Sequence, residues 1–136
     1  MKNINMIDAI SSVEEFHDSF GIENNYAPTA HISKEQIQLR HDLMAEENSE
    51  YLEAALNGDL TEIADALGDQ LYILCGTILK HGMQHKIMEV FEEIHRSNMS
   101  KLGEDGKPIY REDGKVLKGA NYFRPNIQRI LEKDEV

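Results

Sequence analysis

Apolar residues recur every three to four positions along most of the chain, the spacing of helices with one buried face. The pattern predicts a first helix over about residues 5–20, ended by Gly21, and then a loop, Gly21–His31, carrying Asn24, Asn25 and Pro28. Ser33 followed by Gln36 has the form of a capping box, so a second helix starts there and runs to about Leu56. Asn57-Gly58-Asp59 reads as a tight turn, with Asp59 as N-cap of a third helix that reaches about His81 and stops at Gly82. A fourth helix is expected from about Gln84 to Lys101. Two Asp-Gly steps, at Asp105-Gly106 and Asp113-Gly114, flank Ile109-Tyr110-Arg111 and predict a small hairpin or extended flap. Residues ~125–133 read as a last short helix. The expected fold is all-α: an antiparallel bundle of about four to five helices with a short C-terminal hairpin or flap, forming one domain over residues 1–136.

The phase of the acidic residues departs from an ordinary amphipathic pattern. On the second helix, Leu43, Tyr51 and Ala54 lie within about 40° of Glu47, and Glu50 lies about 60° away. Glu47 and Glu50 therefore sit within the apolar stripe, with Glu46 and Glu53 at its edge. Burying adjacent carboxylates without a cation is costly, so this placement calls for a partner. On the third helix, Leu60, Ile63, Leu67, Leu71, Leu74 and Ile78 form an expected core face, and Glu62, Asp65 and Asp69 form a stripe opposite. That stripe continues into Tyr72, Ile73 and Gly76, so the acids are expected at the mouth of a packed interior. Two such helices joined by a tight turn pack antiparallel, and their carboxylates can form an oxygen-rich cage. Such a cage suits Mg²⁺ or Mn²⁺. The fourth helix is expected to bury Ile87, Val90, Phe91 and Ile94, with Asn98 and Lys101 continuing that face.

Composition sharpens this picture. The formal net charge is −11, from 14 Lys and Arg against 25 Asp and Glu, which argues against nucleic-acid or anionic-membrane binding. Residues 41–79 hold nine acids and no Lys or Arg, so helical ion pairs cannot account for them. Residues 96–124 hold seven of the 14 basic residues and only four acids. A single cysteine, Cys75, and the absence of a long apolar run or secretory signal fit a cytoplasmic protein.

The ordered combination resembles the MazG-like, all-α nucleoside triphosphate pyrophosphohydrolases, a superfamily that includes dimeric dUTPases and phosphoribosyl-ATP pyrophosphohydrolase. Glu47-Asn48-Ser49-Glu50, preceded by Glu46, matches the Glu-x-x-Glu helix of that family. Glu62-Ile63-Ala64-Asp65, or the segment ending at Asp69, matches its Glu-x-x-Asp helix. In the Asp69 register the family glutamate falls on Ala66, and Glu62 or Asp65 would replace it. Glu15-Phe16-His17, His95–Lys101 and Lys118–Pro125 look like a phage- or integron-type subgroup. The resemblance implies Mg²⁺-dependent hydrolysis of a nucleoside triphosphate to monophosphate and pyrophosphate by a homodimer or homotetramer. It implies metal ligation by Glu47, Glu50, Glu62, Asp65 and Asp69, and a catalytic role for Glu46, Glu47 or Glu50. Substrate would be bound by Asn98 and Lys101, with Arg96, Lys118, Asn121, Tyr122 and Arg124.

Two other readings compete. A non-catalytic module would bind Mg²⁺–nucleotide in the same cage without turnover. A ferritin-like di-iron protein would use Glu14-x-x-His17 and Glu92-x-x-His95. Glu14 and Glu92 lie more than about 100° from their helices' apolar faces, and helix-edge packing is the simpler account of His17 and His95.

Overall fold

The computed structural model describes residues 3–133. Among them are five helices and one two-stranded antiparallel sheet. Residues group into two compact units, Met1–Gln84 and His85–Val136.

The first unit holds α1 (Met6–Ser19), α2 (Lys34–Leu56) and α3 (Leu60–Lys80). Each begins where a short polar side chain satisfies a free N–H of the first turn. Asn5 and Asp8 exchange both bonds of a capping box at α1. Ser33 accepts from the Gln36 amide at 3.2 Å, which is one half of the expected box at α2. Asp59 accepts from the Glu62 amide at 3.2 Å and starts α3 directly after the Asn57-Gly58 turn. That turn folds α3 back along α2, and α1 packs against α3.

The loop between α1 and α2 closes the C-terminal end of α3. Three carbonyls left without intrahelical partners, those of Leu79, Lys80 and His81, accept from the Asn25 amide, Asn25 Nδ2 and the Thr29 amide at 2.9, 2.6 and 2.9 Å. Lys80, which is buried, donates its ammonium to the Glu23 carbonyl at 2.7 Å.

One expectation is overturned. The leucine face of α3 is not the core of this unit: Leu60, Leu67, Leu71 and Leu74 are exposed. The buried positions of α3 are Ala66, Cys75, Gly76, Ile78, Leu79 and Lys80. Small residues let α2 and α3 approach closely, so the acid-bearing side of α3 turns toward α2 and the leucines turn outward. A helical wheel treats Ala66 and Gly76 as neutral, yet they decide which side faces the neighbour.

The second unit holds α4 (Ile87–Met99), the hairpin β1 (Ile109–Tyr110) and β2 (Val116–Leu117), and α5 (Ile127–Glu132). The hairpin pairs Ile109 with Leu117 and Tyr110 with Val116. The α4 expectation is corrected as well, since Phe91 and Ile94 are exposed while Glu93 and Ser97 are buried. The reason is a polar seam. The Glu93 carboxylate accepts from the Asn126 amide at 2.7 Å, and Ser97 Oγ donates to the Phe123 carbonyl at 2.8 Å. These bonds fasten the segment before α5 to α4.

Two glycines give a test of the loop closure. Gly58 and Gly82 share a left-handed backbone, with φ of 66° at each. A Cβ on Gly58 would meet nothing within 4 Å, whereas one on Gly82 would lie 2.2 Å from the Ala27 carbonyl oxygen. Gly58→Ala is expected to lose about 1–2 kcal/mol from backbone strain, and Gly82→Ala distinctly more, measured by urea denaturation. Equal losses would mean that the Ala27 backbone yields freely.

Candidate metal and nucleotide site

The α2–α3 groove brings carboxylates from both helices together. Asn48 Oδ1 accepts from Gln70 Nε2 at 3.1 Å and marks the register of the antiparallel pair. Beside it, one carboxylate oxygen from each of Glu47, Glu50 and Asp69 lies within 4.8 Å of the others. Glu47 and Asp69 are half-buried and Glu50 is exposed. Glu47 Oε2 is shut off from solvent and has no hydrogen-bond partner. Burial, the neighbouring Glu50 carboxylate, and the charges of Asp69 and Glu46 together push Glu47 up to about 7.

This donor set fits a hard divalent cation. All three ligand groups offer oxygen, and among the described residues no histidine or cysteine belongs to the cluster. The orphaned oxygen on Glu47 and the mutual repulsion of three acids are both relieved by one cation.

The remaining acids lie nearby but apart. Glu46 is exposed and acts on Glu47 through its charge. Glu62 and Asp65 are exposed and lie outside the three-carboxylate cluster. They line a separate cleft of about 380 Å³ that also borders Glu50 and Ala66. Ala66 is buried at the wall of that cleft.

A larger cavity, about 700 Å³, opens one helical turn from the cluster. Its wall includes Leu43, which precedes Glu47 on α2, and Tyr72 and Ile73, which follow Asp69 on α3. His17 and Arg40 also line it. Arg40 donates from Nε to Thr77 Oγ1 at 3.0 Å and from Nη2 to the Ile73 carbonyl at 2.7 Å. Gly76 makes that crossing possible, because a Cβ there would lie 2.5 Å from Arg40 Nη2. The sequence reading missed Arg40. The available signals were its position two turns before Glu47 on the same face of α2, and an isolated glycine in an apolar helix, which marks close approach.

The expected substrate-binding residues belong to the second unit. Arg96 is engaged within it: Nε and Nη2 donate to Glu93 Oε1 at 3.0 and 2.9 Å, and the guanidinium stacks 4.3 Å from the Phe123 ring. The Asn126 amide first, and then Arg96, hold the Glu93 carboxyl below its usual range. Lys118 Nζ lies 4.8 Å from the Tyr122 ring centre. Asn98, Asn121 and Arg124 are exposed and Lys101 is half-buried. The Lys101 carbonyl accepts from the Gly119 amide at 2.9 Å. Of the two di-iron motifs, the first is otherwise occupied: Glu14 accepts from the Tyr26 hydroxyl, and His17 Nδ1 bonds Asn24.

Comparison with known families gives one match. A family described as phosphoribosyl-ATP pyrophosphohydrolase matches residues 13–98, more than half of the chain. No curated protein matches the chain.

The raised Glu47 makes a signed prediction for the metal-free protein. A carboxyl whose folded pKa exceeds its unfolded value leaves stability intact below the unfolded value, and removes it as pH rises through the folded value. The loss therefore falls between about 4.5 and about 7. Glu47→Gln should match wild type in denaturation at pH 5 and exceed it at pH 8. A stability difference that does not change with pH would contradict the crowding of these acids.

Proposed function

The chain belongs to the phosphoribosyl-ATP pyrophosphohydrolase family, within the MazG-like superfamily, and on that premise we propose that it hydrolyses nucleoside triphosphates to monophosphate and pyrophosphate. The family implies nucleotide pyrophosphohydrolase chemistry in general and is typically metal-dependent. The cofactor we propose is Mg²⁺, with Mn²⁺ able to replace it. The observation that carries the proposal is the orphaned Glu47 oxygen beside Glu50 and Asp69.

Glu47, Glu50 and Asp69 would hold the cation, with Asp65 or Glu62 extending the set from the adjoining cleft. When bound, it would neutralise phosphate charge and make water more acidic. That role is needed, since a triphosphate with about four negative charges would otherwise be repelled by an acidic groove. Glu46, Glu47 and Glu50 are the candidates to accept the proton from the attacking water. The cavity lined by Leu43, Tyr72 and Ile73 is the space we assign to the nucleoside. Lys101, Arg96, Lys118 and Arg124, with Asn98, Asn121 and Tyr122, remain proposed substrate contacts on the strength of the basic stretch over 96–124.

The uncovered leucines of α3 support a homodimer or homotetramer. No described helix is long and apolar enough to cross a membrane. A cytoplasmic enzyme that acts on free nucleotides in their housekeeping, without nucleic-acid or membrane partners, is the setting we propose. His95–Lys101 and Lys118–Pro125 support a phage- or integron-type subgroup. One feature favours the second reading, a binding module without turnover: in the Asp69 register, Ala66 stands where the resemblance calls for a glutamate.

The deciding experiment is a panel of ribo- and deoxyribonucleoside triphosphates with Mg²⁺, read by product. Pyrophosphate and monophosphate are expected, and orthophosphate alone would sink the proposal. No product with retained nucleotide binding would favour the module. Glu47→Gln and Glu50→Gln are expected to reduce turnover at least about a hundredfold while the protein stays folded. Asp69→Asn should be comparably severe. Asp65→Asn should raise the Mg²⁺ requirement more than Glu62→Gln, because Asp65 lies one turn from Asp69 and Glu62 two. The reverse order would assign the substitute ligand to Glu62.

A further inference from the structure

Arg40 is the only arginine in the first unit, and its chemistry there is incompletely used. A guanidinium carries five N–H donors in a planar fork. Two of its nitrogens donate, Nε to Thr77 and Nη2 to the Ile73 carbonyl, and none of the described carboxylates pairs with it. The group is half-buried, and burial lowers its pKa. A cation held this way on a cavity wall leaves N–H groups free for an electron-rich atom of whatever fills the cavity.

The neighbouring group is His17, which is 3% exposed. Its Nδ1 lies 2.6 Å from Asn24 Oδ1, and Asn24 Nδ2 donates to Asp18 Oδ1 at 3.4 Å. Asp18 can only accept, so the Asn24 amide oxygen faces the imidazole and His17 Nδ1 is the donor. In the neutral ring, Nε2 is then left as an acceptor. Arg40 Nη2, with one N–H beyond its bond to Ile73, and His17 Nε2 both lie against Gly76. A Cβ at that position would lie 2.5 Å from Arg40 Nη2 and 3.1 Å from His17 Nε2. The guanidinium of Arg40 fills the space a side chain there would take, with His17 Nε2 beside it, and both residues line a cavity whose wall also carries Tyr72 and Phe16, one turn from the carboxylate cluster.

We propose that Arg40 and His17 are specificity-determining residues that select a nucleobase bearing a lactam edge, a ring carbonyl beside a ring N–H. Arg40 donates to the carbonyl oxygen, and His17 Nε2 accepts from the N–H. Uracil, thymine, guanine and hypoxanthine present that edge. Adenine has no carbonyl, and both adenine and cytosine set an amino group beside an unprotonated ring nitrogen. Aligned in the same way, either of those bases would oppose donor to donor and acceptor to acceptor, leaving buried polar groups unpaired. The inference rests on the nucleotide reading of the adjoining cluster, but it concerns base recognition and does not require turnover.

The test therefore uses nucleosides, which need neither metal nor hydrolysis. Binding of uridine, thymidine, guanosine, inosine, cytidine and adenosine to the full chain is followed by calorimetry or by NMR shifts. The lactam nucleosides are expected to bind at least roughly tenfold more tightly than adenosine and cytidine. Arg40→Gln should collapse that ratio toward one by weakening the lactam nucleosides. Gly76→Ala should weaken the lactam nucleosides by displacing the Arg40 guanidinium, and the wild-type panel stands whether or not either variant folds. Equal binding of all six, preference for adenosine or cytidine, or an unchanged ratio in folded Arg40→Gln would overturn the proposal. Pyrophosphate release with no such selectivity would leave the enzyme reading intact and remove this inference. Selective binding without turnover would do the reverse, and no binding with no turnover would remove both.

Discussion

The fold of the first unit turns on one constraint: α2 and α3 must lie close enough for carboxylates on both to meet. Large side chains at the interface would hold the helices apart. Ala54, Ala66 and Gly76 are buried there instead, and Arg40 crosses over Gly76 to reach the backbone of α3. The same choice turns the leucines of α3 outward. Close approach, the strained acids and the uncovered apolar face are thus three consequences of small residues on one side of α3.

The cost of gathering Glu47, Glu50 and Asp69 is held in place by the ends of the hairpin. Asp59 and the Asn57-Gly58 turn fix one end, and the loop carrying Asn25 and Thr29 caps the other. Stability spent on the acids is recovered only when a cation or a proton arrives. Glu47, raised to about 7, is the group through which either would act.

Much of this was legible in the chain. Caps and turns located α2 and α3 to within a residue, because Ser33, Asp59 and Gly82 carry local backbone chemistry that needs no tertiary information. The place of Glu47 within an apolar stripe was equally readable, since helical phase follows from residue number. What escaped was anything decided by a partner surface. The leucines of α3 have the strongest apolar pattern and yet stay exposed, while Glu93, outside the expected buried face of α4, is buried and bonded by the Asn126 amide and Arg96. Arg40 was hidden for a related reason. A cation two turns from an acid appears unrelated in sequence, and only Gly76 across the groove gives its guanidinium a place to lie.

The central claim is that the three carboxylates form one cation site. Mn²⁺ titration followed by the electron paramagnetic resonance of free Mn²⁺ reads that site directly, with no nucleotide present. The account predicts saturable uptake by the wild-type chain at pH 8, weakened at least about tenfold when Asp69→Asn removes the α3 member of the three-carboxylate cluster. Uptake by Asp69→Asn equal to that of wild type, or wild-type uptake that ordinary salt abolishes as it would at an exposed acidic surface, would contradict it.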